Sequence, residues 1–190
     1  MTTIVAVRKH DEITIAADSL TTFGDIRLGA AHDAAYDKIL EHRGTYIGIC
    51  GSAAHHLVFA SLLRANPDYD LASRPAIFET LRKLHPILKE QHYLNPKEEE
   101  DDPYESTQIT ALVANANGIF GVYSMREVFE YTRFWAVGSG KEVALGAMHA
   151  LYPRLRTAAA VAQAGVEAGC VFDKNSSLPL TTYTLKVRSA

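Results

Sequence analysis

The sequence predicts an α+β fold, a four-layer αββα sandwich in which helices cover two central β-sheets. The predicted elements follow one another as strands, two helices, strands, two helices and a final strand, an order that does not alternate as βαβ units would. With 190 residues, 47% of them hydrophobic, the chain is long enough to bury the core of one globular domain over residues 1–190. We find no internal repeat and no linker that would divide it.

The first predicted hairpin lies at the amino terminus. Thr2–Lys9 is β-branched and apolar, a pattern typical of a strand that is buried on both faces. His10 and Asp11 tolerate positive φ and therefore predict a tight turn into a second strand over residues 13–17. Asp18 stands at the end of that strand.

A second predicted hairpin follows a loop. Residues 19–36 are rich in glycine and small polar side chains, which predicts a loop with one short strand at 26–28. Residues 38–41 and 46–50 then predict two strands joined by a turn at 42–45.

Two helices are predicted next. After Gly51 the apolar residues recur at helical spacing up to the stop at Asn66-Pro67. A second helix has Pro75 near its start, and we expect Pro86 to kink it. Each helix carries an apolar stripe that we expect to lie on a sheet. The stripes are Ala54, Leu57, Val58, Ser61 and Leu62 in the first helix and Ile77, Leu81, Leu84 and Leu88 in the second.

An acidic run separates these helices from the second half of the chain. Glu98–Asp102 contains five consecutive acidic residues between two prolines. Their mutual repulsion, without any apolar anchor, predicts a solvated loop. An acidic pore or docking loop is the alternative interpretation.

Strands resume after the acidic run. Residues 108–115 and 118–123 predict two strands, because the Asn117-Gly118 pair between them is a strong hairpin signal. A third strand is predicted over 129–137. The remaining predicted elements are two Ala-rich helices over 140–151 and 157–169 and a final strand over 180–187.

Composition and charge exclude several classes of partner. Nineteen Lys and Arg against 22 Asp and Glu give a formal charge of −3, without the basic excess that binding to nucleic acid requires. We find no apolar stretch of about 18 residues that would span a membrane, and no secretory signal before the first strand. Cys50 and Cys170 cannot build a disulfide framework, which favours a cytoplasmic location.

Three other patterns are weak signals of chemistry. Gly138–Lys141 is followed by glutamate, where a phosphate-binding loop requires Ser or Thr. His55 and His56 point to different sides of a helix, so we predict no metal site, and we predict no cofactor. Cys50 precedes a glycine turn and could be a thiol nucleophile, but burial is the commoner reason for such a cysteine.

The strongest chemical signal is the start of the chain. Removal of Met1 would leave Thr2 as the first residue, with a free α-amine beside its hydroxyl. A hydroxyl is a poor nucleophile without an adjacent base. An α-amine, whose ordinary pKa is about 7.7 to 8.0, is partly neutral at physiological pH and can be that base. Taken alone, such a start is more often an ordinary beginning of a strand.

Five short motifs change that interpretation. They are Met1–Arg8 with Ile15–Ser19, Lys38-Ile39, Cys50–Ala54, Val137–Gly140 and Asp173–Ser176. In this order they resemble the opening hairpin, the catalytic lysine, the turn into the first helix, the Gly-Ser-Gly turn and the Asp-x-x-Ser spacing of the proteasome-type N-terminal nucleophile hydrolases. This family includes the HslV-type proteases. A bacterial proteasome homologue fits better than a eukaryotic subunit, since Thr2 directly follows Met1.

The resemblance implies a role for each matching residue. Thr2 would be the nucleophile, and Lys38 would be the cation that keeps the Thr2 amine unprotonated. Asp18 would hold Lys38 in place. A hydrogen-bond network around the amine would comprise Ser139, Asp173 and Ser176.

The resemblance also implies where substrate binds. The backbone N–H of Gly51 would face the oxyanion that forms during the reaction. Side chains that select the substrate are expected on residues 20–33 and around 47–54, with Thr21, Thr22 and Leu28 as walls. The departures from the family pattern are a longer segment between Asp18 and Lys38, a serine after Gly51 and Ser177 in place of a common glycine.

The function that the resemblance implies is that of a threonine endopeptidase. It would cleave unfolded polypeptides inside two stacked homo-oligomeric rings of 12 or 14 subunits in all, and an ATPase unfoldase is a candidate partner. One alternative is a catalytically silent subunit that only forms the ring, which retention of Met1 would favour. Another alternative is an N-terminal nucleophile amidase that acts on small molecules.

Overall fold

Eleven strands and four helices make up the described part of the chain, residues 2–94, 109–124 and 127–188 of a computed structural model. The strands are β1 (Thr3–Lys9), β2 (Glu12–Asp18), β3 (Thr21–Phe23), β4 (Ile26–Leu28), β5 (Ile39–His42), β6 (Thr45–Cys50), β7 (Thr110–Asn115), β8 (Gly118–Tyr123), β9 (Glu127–Tyr131), β10 (Phe134–Gly138) and β11 (Leu180–Lys186). The helices are α1 (Ala53–Ala65), α2 (Arg74–Glu90), α3 (Lys141–Leu151) and α4 (Ala158–Phe172). The predicted acidic loop at Glu98–Asp102 lies outside the described residues, as does Met1.

The strands form two large antiparallel sheets and one small hairpin. The four-stranded sheet has the order β10-β1-β2-β11, the five-stranded sheet has the order β5-β6-β7-β8-β9, and β3 pairs with β4. Helices α3 and α4 contact the four-stranded sheet, while α1 contacts β5 and α2 contacts β9 of the other sheet. The predicted four-layer αββα sandwich is therefore confirmed.

Strand β1 shows why the first strand has no polar face. Successive side chains of a strand point to opposite sides of the sheet. Ile4 and Ala6 pack in the apolar cluster between the two sheets, whereas Val5 and Val7 pack in the cluster beneath α3 and α4. All four side chains are fully buried. The predicted hairpin is also confirmed, with His10 in its turn at φ +54°.

Helix α2 has the start and the buried face that its sequence predicts. The Ser73 hydroxyl accepts a hydrogen bond from the backbone N–H of Ala76, and Pro75 lies in the first turn, where its missing N–H removes no helical bond. The helix runs on through Pro86 to Glu90. The predicted stripe of Ile77, Leu81, Leu84 and Leu88 is buried against the five-stranded sheet.

The buried face predicted for α1 is wrong in part. Leu62 of the predicted stripe is buried, but Leu57 is 72% exposed, and the other buried residues of the helix are Phe59 and Leu63. Apolar residues occur on several sides of this short helix, so periodicity alone does not select one face. Burying the large ring of Phe59 removes more apolar surface from water than burying Leu57 would, and this favours the observed rotation.

The prediction of one strand over residues 129–137 is also wrong. The segment forms two strands, because β9 belongs to the five-stranded sheet and β10 to the four-stranded sheet. The chain crosses between the sheets at Thr132-Arg133, where the backbone N–H of Arg8 donates a hydrogen bond to the Arg133 carbonyl. Aromatic and β-branched residues continue across the crossing, so local composition does not mark the break. Strand β3, a short Thr-rich partner of β4, was likewise not predicted.

The hairpin between β7 and β8 forms as predicted, but its turn lies one residue earlier than the Asn-Gly pair. Asn115 pairs with Gly118, which leaves Ala116 and Asn117 as the turn. The Asn115 side-chain oxygen accepts hydrogen bonds from the backbone N–H groups of Asn117 at 2.8 Å and Gly118 at 3.2 Å. The Asn115 carboxamide therefore stabilises the turn by hydrogen bonds to its backbone N–H groups.

Candidate active site

Asp18 lies at the centre of a buried cluster at one end of the four-stranded sheet. Strands β1 and β2 pair with Ile4 opposite Ala17, which places the end of β2 beside the start of β1. The Asp18 carboxylate is fully buried. Its Oδ1 accepts hydrogen bonds from the Thr2 hydroxyl and, at 2.9 Å, from the backbone N–H of Thr3. A buried carboxylate is stable only when it is paired in this way.

The second oxygen of Asp18 is also satisfied. Its Oδ2 accepts hydrogen bonds from the backbone N–H groups of Leu20 at 3.0 Å and Ser177 at 3.2 Å. These donors come from the residues just after β2 and just before β11. Asp18 thereby connects three separate segments of the chain.

Lys38 completes the cluster from the side of the five-stranded sheet. It immediately precedes β5, and its Nζ lies 2.8 Å from Thr2 Oγ1, 2.8 Å from Asp18 Oδ1 and 2.7 Å from the Leu20 carbonyl oxygen. An ammonium group has three protons, and each of them has an acceptor here. The structure therefore brings Thr2, Asp18 and Lys38 together, and their catalytic roles remain predictions.

A second polar cluster lies beside the Thr2 backbone. Ser139 Oγ donates to Asp173 Oδ2 at 2.6 Å, and Ser176 Oγ donates to the same oxygen at 2.8 Å. Burial alone would raise the pKa of the Asp173 carboxyl, but the hydrogen bonds from Ser139 and Ser176 outweigh burial and lower that pKa below its usual value. The three predicted residues thus form one network around a carboxylate.

This network reaches the first strand through two atoms. Ser139 Oγ lies 3.5 Å from the Thr2 carbonyl oxygen, and Ser176 Oγ lies 2.7 Å from Thr3 Oγ1. Contact of the network with the Thr2 amine remains a prediction.

The Gly-Ser-Gly turn before α3 needs both of its glycines. Gly138 has φ +95°, and a Cβ there would lie 2.0 Å from the Thr2 carbonyl oxygen. A Cβ on Gly140 would lie 2.0 Å from the Thr3 hydroxyl oxygen. Real Cβ contacts are never that short, so only glycine lets this turn approach the start of β1.

The predicted oxyanion residue follows β6, and the predicted substrate residues follow β2. Gly51, at φ +126°, lies between β6 and α1, and Ser52 caps the helix by accepting a hydrogen bond from the Ala54 N–H. Thr21 pairs with Leu28 in the β3–β4 hairpin, which begins one residue after Leu20. The other predicted wall, Thr22, is half-buried in the same hairpin. The roles of these residues remain predictions.

Comparison with known proteins identifies the family. A family model described as a proteasome subunit matches residues 1–166 of the chain. The chain belongs to the proteasome subunit family. The resemblance on which the sequence-based predictions depend is therefore confirmed. No curated protein was found that matches this proteasome-family chain.

Solved structures of proteasome relatives agree with this assignment. Thiobacillus denitrificans BPH is 39% identical, with a TM-score of 0.91 over 99% of this chain and 100% of its own. The same protein in complex with epoxomicin has a TM-score of 0.90, again at 39% identity, over 98% of this chain and 100% of its own. Eukaryotic HslV from Trypanosoma brucei, at 19% identity, shares the fold with a TM-score of 0.74 over 97% of this chain and 99% of its own.

Several contacts in this proteasome-family site could not be predicted from the sequence. The Leu20 carbonyl and the Ser177 N–H are backbone groups, which every residue carries and no motif marks. The Thr3 hydroxyl was also missed. Gly140 and Gly169 lie against the Thr3 hydroxyl because of how α3 and α4 pack, so the sequence around Thr3 gives no sign of this contact.

The weaker signals do not contribute to the site. Burial raises the pKa of the Cys50 thiol to about 12, so the group stays protonated and is no thiolate nucleophile at neutral pH. Across residues 2–94, 109–124 and 127–188, no group of three His, Cys, Asp or Glu side chains is placed to hold a metal ion. None of the helices among those residues is long and apolar enough to cross a membrane.

Proposed function

We propose that this chain is a threonine-type peptidase subunit that cleaves peptide bonds through an acyl-enzyme on Thr2. The main support is the position of Lys38 Nζ, 2.8 Å from both Thr2 Oγ1 and Asp18 Oδ1. An ammonium held by a buried carboxylate beside the first hydroxyl of the strand matches the requirements of an amine-activated nucleophile.

The base in this proposal is the Thr2 α-amine that removal of Met1 exposes. At a separation of about 4 Å and an effective dielectric of about 20, the Lys38 ammonium would repel a protonated amine by about 4 kcal/mol. This repulsion disfavours the charged form and so lowers the pKa of the amine. Asp18 keeps the Lys38 ammonium paired and fixed in position.

The reaction proceeds in two halves. As the Thr2 amine takes the hydroxyl proton, Oγ1 attacks the scissile carbonyl carbon, and the resulting oxyanion accepts a hydrogen bond from the Gly51 N–H. One such donor typically contributes about 2.7 to 4 kcal/mol to catalysis. The C–N bond then breaks, the proton passes to the leaving amine, and an ester remains on Thr2. Water, deprotonated by the same amine, hydrolyses this ester and restores the hydroxyl.

Substrate and assembly follow from the family. The β3–β4 hairpin, with Thr21, Thr22 and Leu28, would form walls for an extended polypeptide. We propose two stacked rings of six or seven subunits each, because a closed chamber keeps an exposed nucleophile away from folded proteins. We also propose a cytoplasmic location, where the free thiols of Cys50 and Cys170 would stay reduced.

Mass spectrometry with epoxomicin tests the proposal. Because a 39% identical relative was solved in complex with epoxomicin, we expect this chain to bind it too. The intact mass should lack one methionine, and peptide mapping should place the adduct on Thr2, with none on a Thr2→Ala variant. A retained Met1 would favour the catalytically silent subunit. An adduct on another residue would refute Thr2 as the nucleophile. Turnover of small acyl-amides but not of fluorogenic peptides would favour the amidase.

A further inference from the structure

Asp37, the residue before Lys38, is fastened to the other sheet. Its Oδ1 accepts a hydrogen bond from the Thr181 hydroxyl at 3.0 Å and from the backbone N–H of Ile39 at 2.9 Å. Its Oδ2 accepts a hydrogen bond from the Tyr183 phenol. Both hydroxyl donors belong to β11 of the four-stranded sheet, while Asp37 leads into β5 of the five-stranded sheet. This carboxylate therefore ties the two sheets together beside Lys38.

On the β11 side, this connection is held by strand pairing and ring stacking close to the site. Strand β11 pairs with β2 so that Leu180 lies opposite Asp18. The Tyr183 ring stacks on Tyr46 of β6, with ring centroids 4.8 Å apart. The hydrogen bond to Asp37 raises the pKa of the Tyr183 phenol to about 12, so it remains a donor at neutral pH. Tyr183, the donor to Asp37 Oδ2, thus contacts both sheets.

The segment that leads to Lys38 is irregular. Residues 29–38 contain neither helix nor strand, and regular pairing begins only at Ile39. The Lys38 ammonium reaches its three acceptors, Thr2 Oγ1, Asp18 Oδ1 and the Leu20 carbonyl oxygen, only while the Lys38 backbone stays within one side-chain length of them.

We propose that Asp37 is a positioning residue that fixes the backbone at Lys38 and so holds the Lys38 ammonium beside Thr2. The proposal rests on the proposed function, in which that ammonium tunes the Thr2 amine. In the described structure the Asp37 carboxylate bonds to β11 and to the start of β5, so it acts through Lys38 and not on the substrate.

Turnover of a fluorogenic peptide by the Asp37→Ala variant is the first test. Misplacement of a catalytic group by about 1 Å costs on the order of a hundredfold in rate, so we expect kcat to fall by that order. KM should change by less than about twofold, because the proposed walls lie on another hairpin. Asp37→Asn keeps a carbonyl acceptor and should restore kcat to within about tenfold of wild type.

Two hydroxyl variants on β11 form a matched pair. Tyr183→Phe removes the donor to Asp37 but keeps the ring that stacks on Tyr46, and it should lower kcat by about threefold or more. Thr184→Val removes a hydroxyl that bonds to Thr14 at 2.8 Å, away from Asp37, and kcat should stay at the wild-type value. If Asp37→Ala does not fold, this pair decides the question, and equal kcat values for the two variants would refute the proposal.

A double variant separates positioning from a general loss of structure. Epoxomicin labelling rates are measured for Asp37→Ala alone and in a Lys38→Met background. If Asp37 acts through Lys38, the Asp37→Ala substitution should not lower the labelling rate further in the Lys38→Met background, since the two effects are coupled. An undiminished loss in the Lys38→Met background, or a wild-type rate for folded Asp37→Ala, would overturn the proposal. A wild-type chain that does not react would instead refute the proposed function, and the positioning role with it.

Discussion

Replacement of Lys38 by methionine tests the electrostatic core of the proposed mechanism. The substitution keeps most of the side-chain volume but removes the ammonium that lies 2.8 Å from both Thr2 Oγ1 and Asp18 Oδ1. Repulsion from Lys38 disfavours the protonated form of the Thr2 amine, so its removal raises the pKa of that amine. The carboxylate of Asp18, no longer neutralised by the Lys38 cation, would stabilise the protonated amine and shift its pKa in the same direction.

The magnitude follows from a separation of about 4 Å between the Lys38 ammonium and the Thr2 amine. A repulsion of about 4 kcal/mol corresponds to about three pKa units at about 1.36 kcal/mol per unit. Water reaches Lys38, whose side chain is 15% exposed, and screens part of this interaction. We therefore expect an upward shift of about one to two units, and a loss in kcat/KM at pH 7 of about 10²-fold once the lost hydrogen bond to Thr2 Oγ1 is added.

The assay is the pH dependence of kcat/KM on a fluorogenic peptide between about pH 6 and pH 10, which reports the pKa of the free enzyme's base. The acidic limb of the profile should move to higher pH in Lys38→Met, and activity should recover partly as pH rises. Lys38→Arg retains the cation and should move the limb less. Thermal melts establish that each variant is folded. An unmoved acidic limb in folded Lys38→Met would refute the assigned role.

Three further predictions concern the nucleophile, the glycine turn and the face of α1. Thr2→Ala should abolish peptide turnover while size-exclusion chromatography shows unchanged assembly, and a variant that falls apart would contradict a purely chemical role. Gly138→Ala should lower the free energy of unfolding by more than about 2 kcal/mol, since its Cβ would lie 2.0 Å from the Thr2 carbonyl oxygen. Gly146→Ala, which meets nothing within 4 Å, should raise it by about 0.5 to 1 kcal/mol. Phe59→Ala should lower the free energy of unfolding, measured by denaturant titration, by about 3 to 5 kcal/mol. Leu57→Ala, at a 72% exposed position, should lower it by less than about 0.5 kcal/mol. Equal losses for the two variants would contradict the observed buried face of α1.

The sequence is most informative where one residue has one strong local requirement. β1 has no polar face because it is buried on both sides, and the Ser73-Arg74-Pro75 start of α2 contains its own cap. These features are local, so a single sequence is sufficient to predict them.

The predictions that are wrong concern features that tertiary packing determines, where the local sequence is compatible with more than one structure. Periodicity allowed several buried faces for α1, and packing against the sheet selected the one with Phe59. The crossing at Thr132-Arg133 depends on which sheet each half of the segment joins, and β-propensity is the same in both. In the site, motif order predicted the side chains at Thr2, Asp18 and Lys38. The backbone donors and acceptors that hold them depend on the three-dimensional approach of distant segments.

The five hydrogen bonds that Asp18 accepts also determine when the site can exist. Ser177, one of the donors, is separated from Asp18 by 159 positions, and Ser176 bonds to Thr3 across 173 positions. Contacts of such sequence separation close very long loops at an entropic cost, so we expect them to form late in folding. A nascent or partly folded chain, with Thr2 already outside the ribosome, consequently lacks a finished carboxylate environment. Under the proposed function, peptide cleavage would therefore require the completed fold, and a chain that is still folding would not cleave the proteins around it.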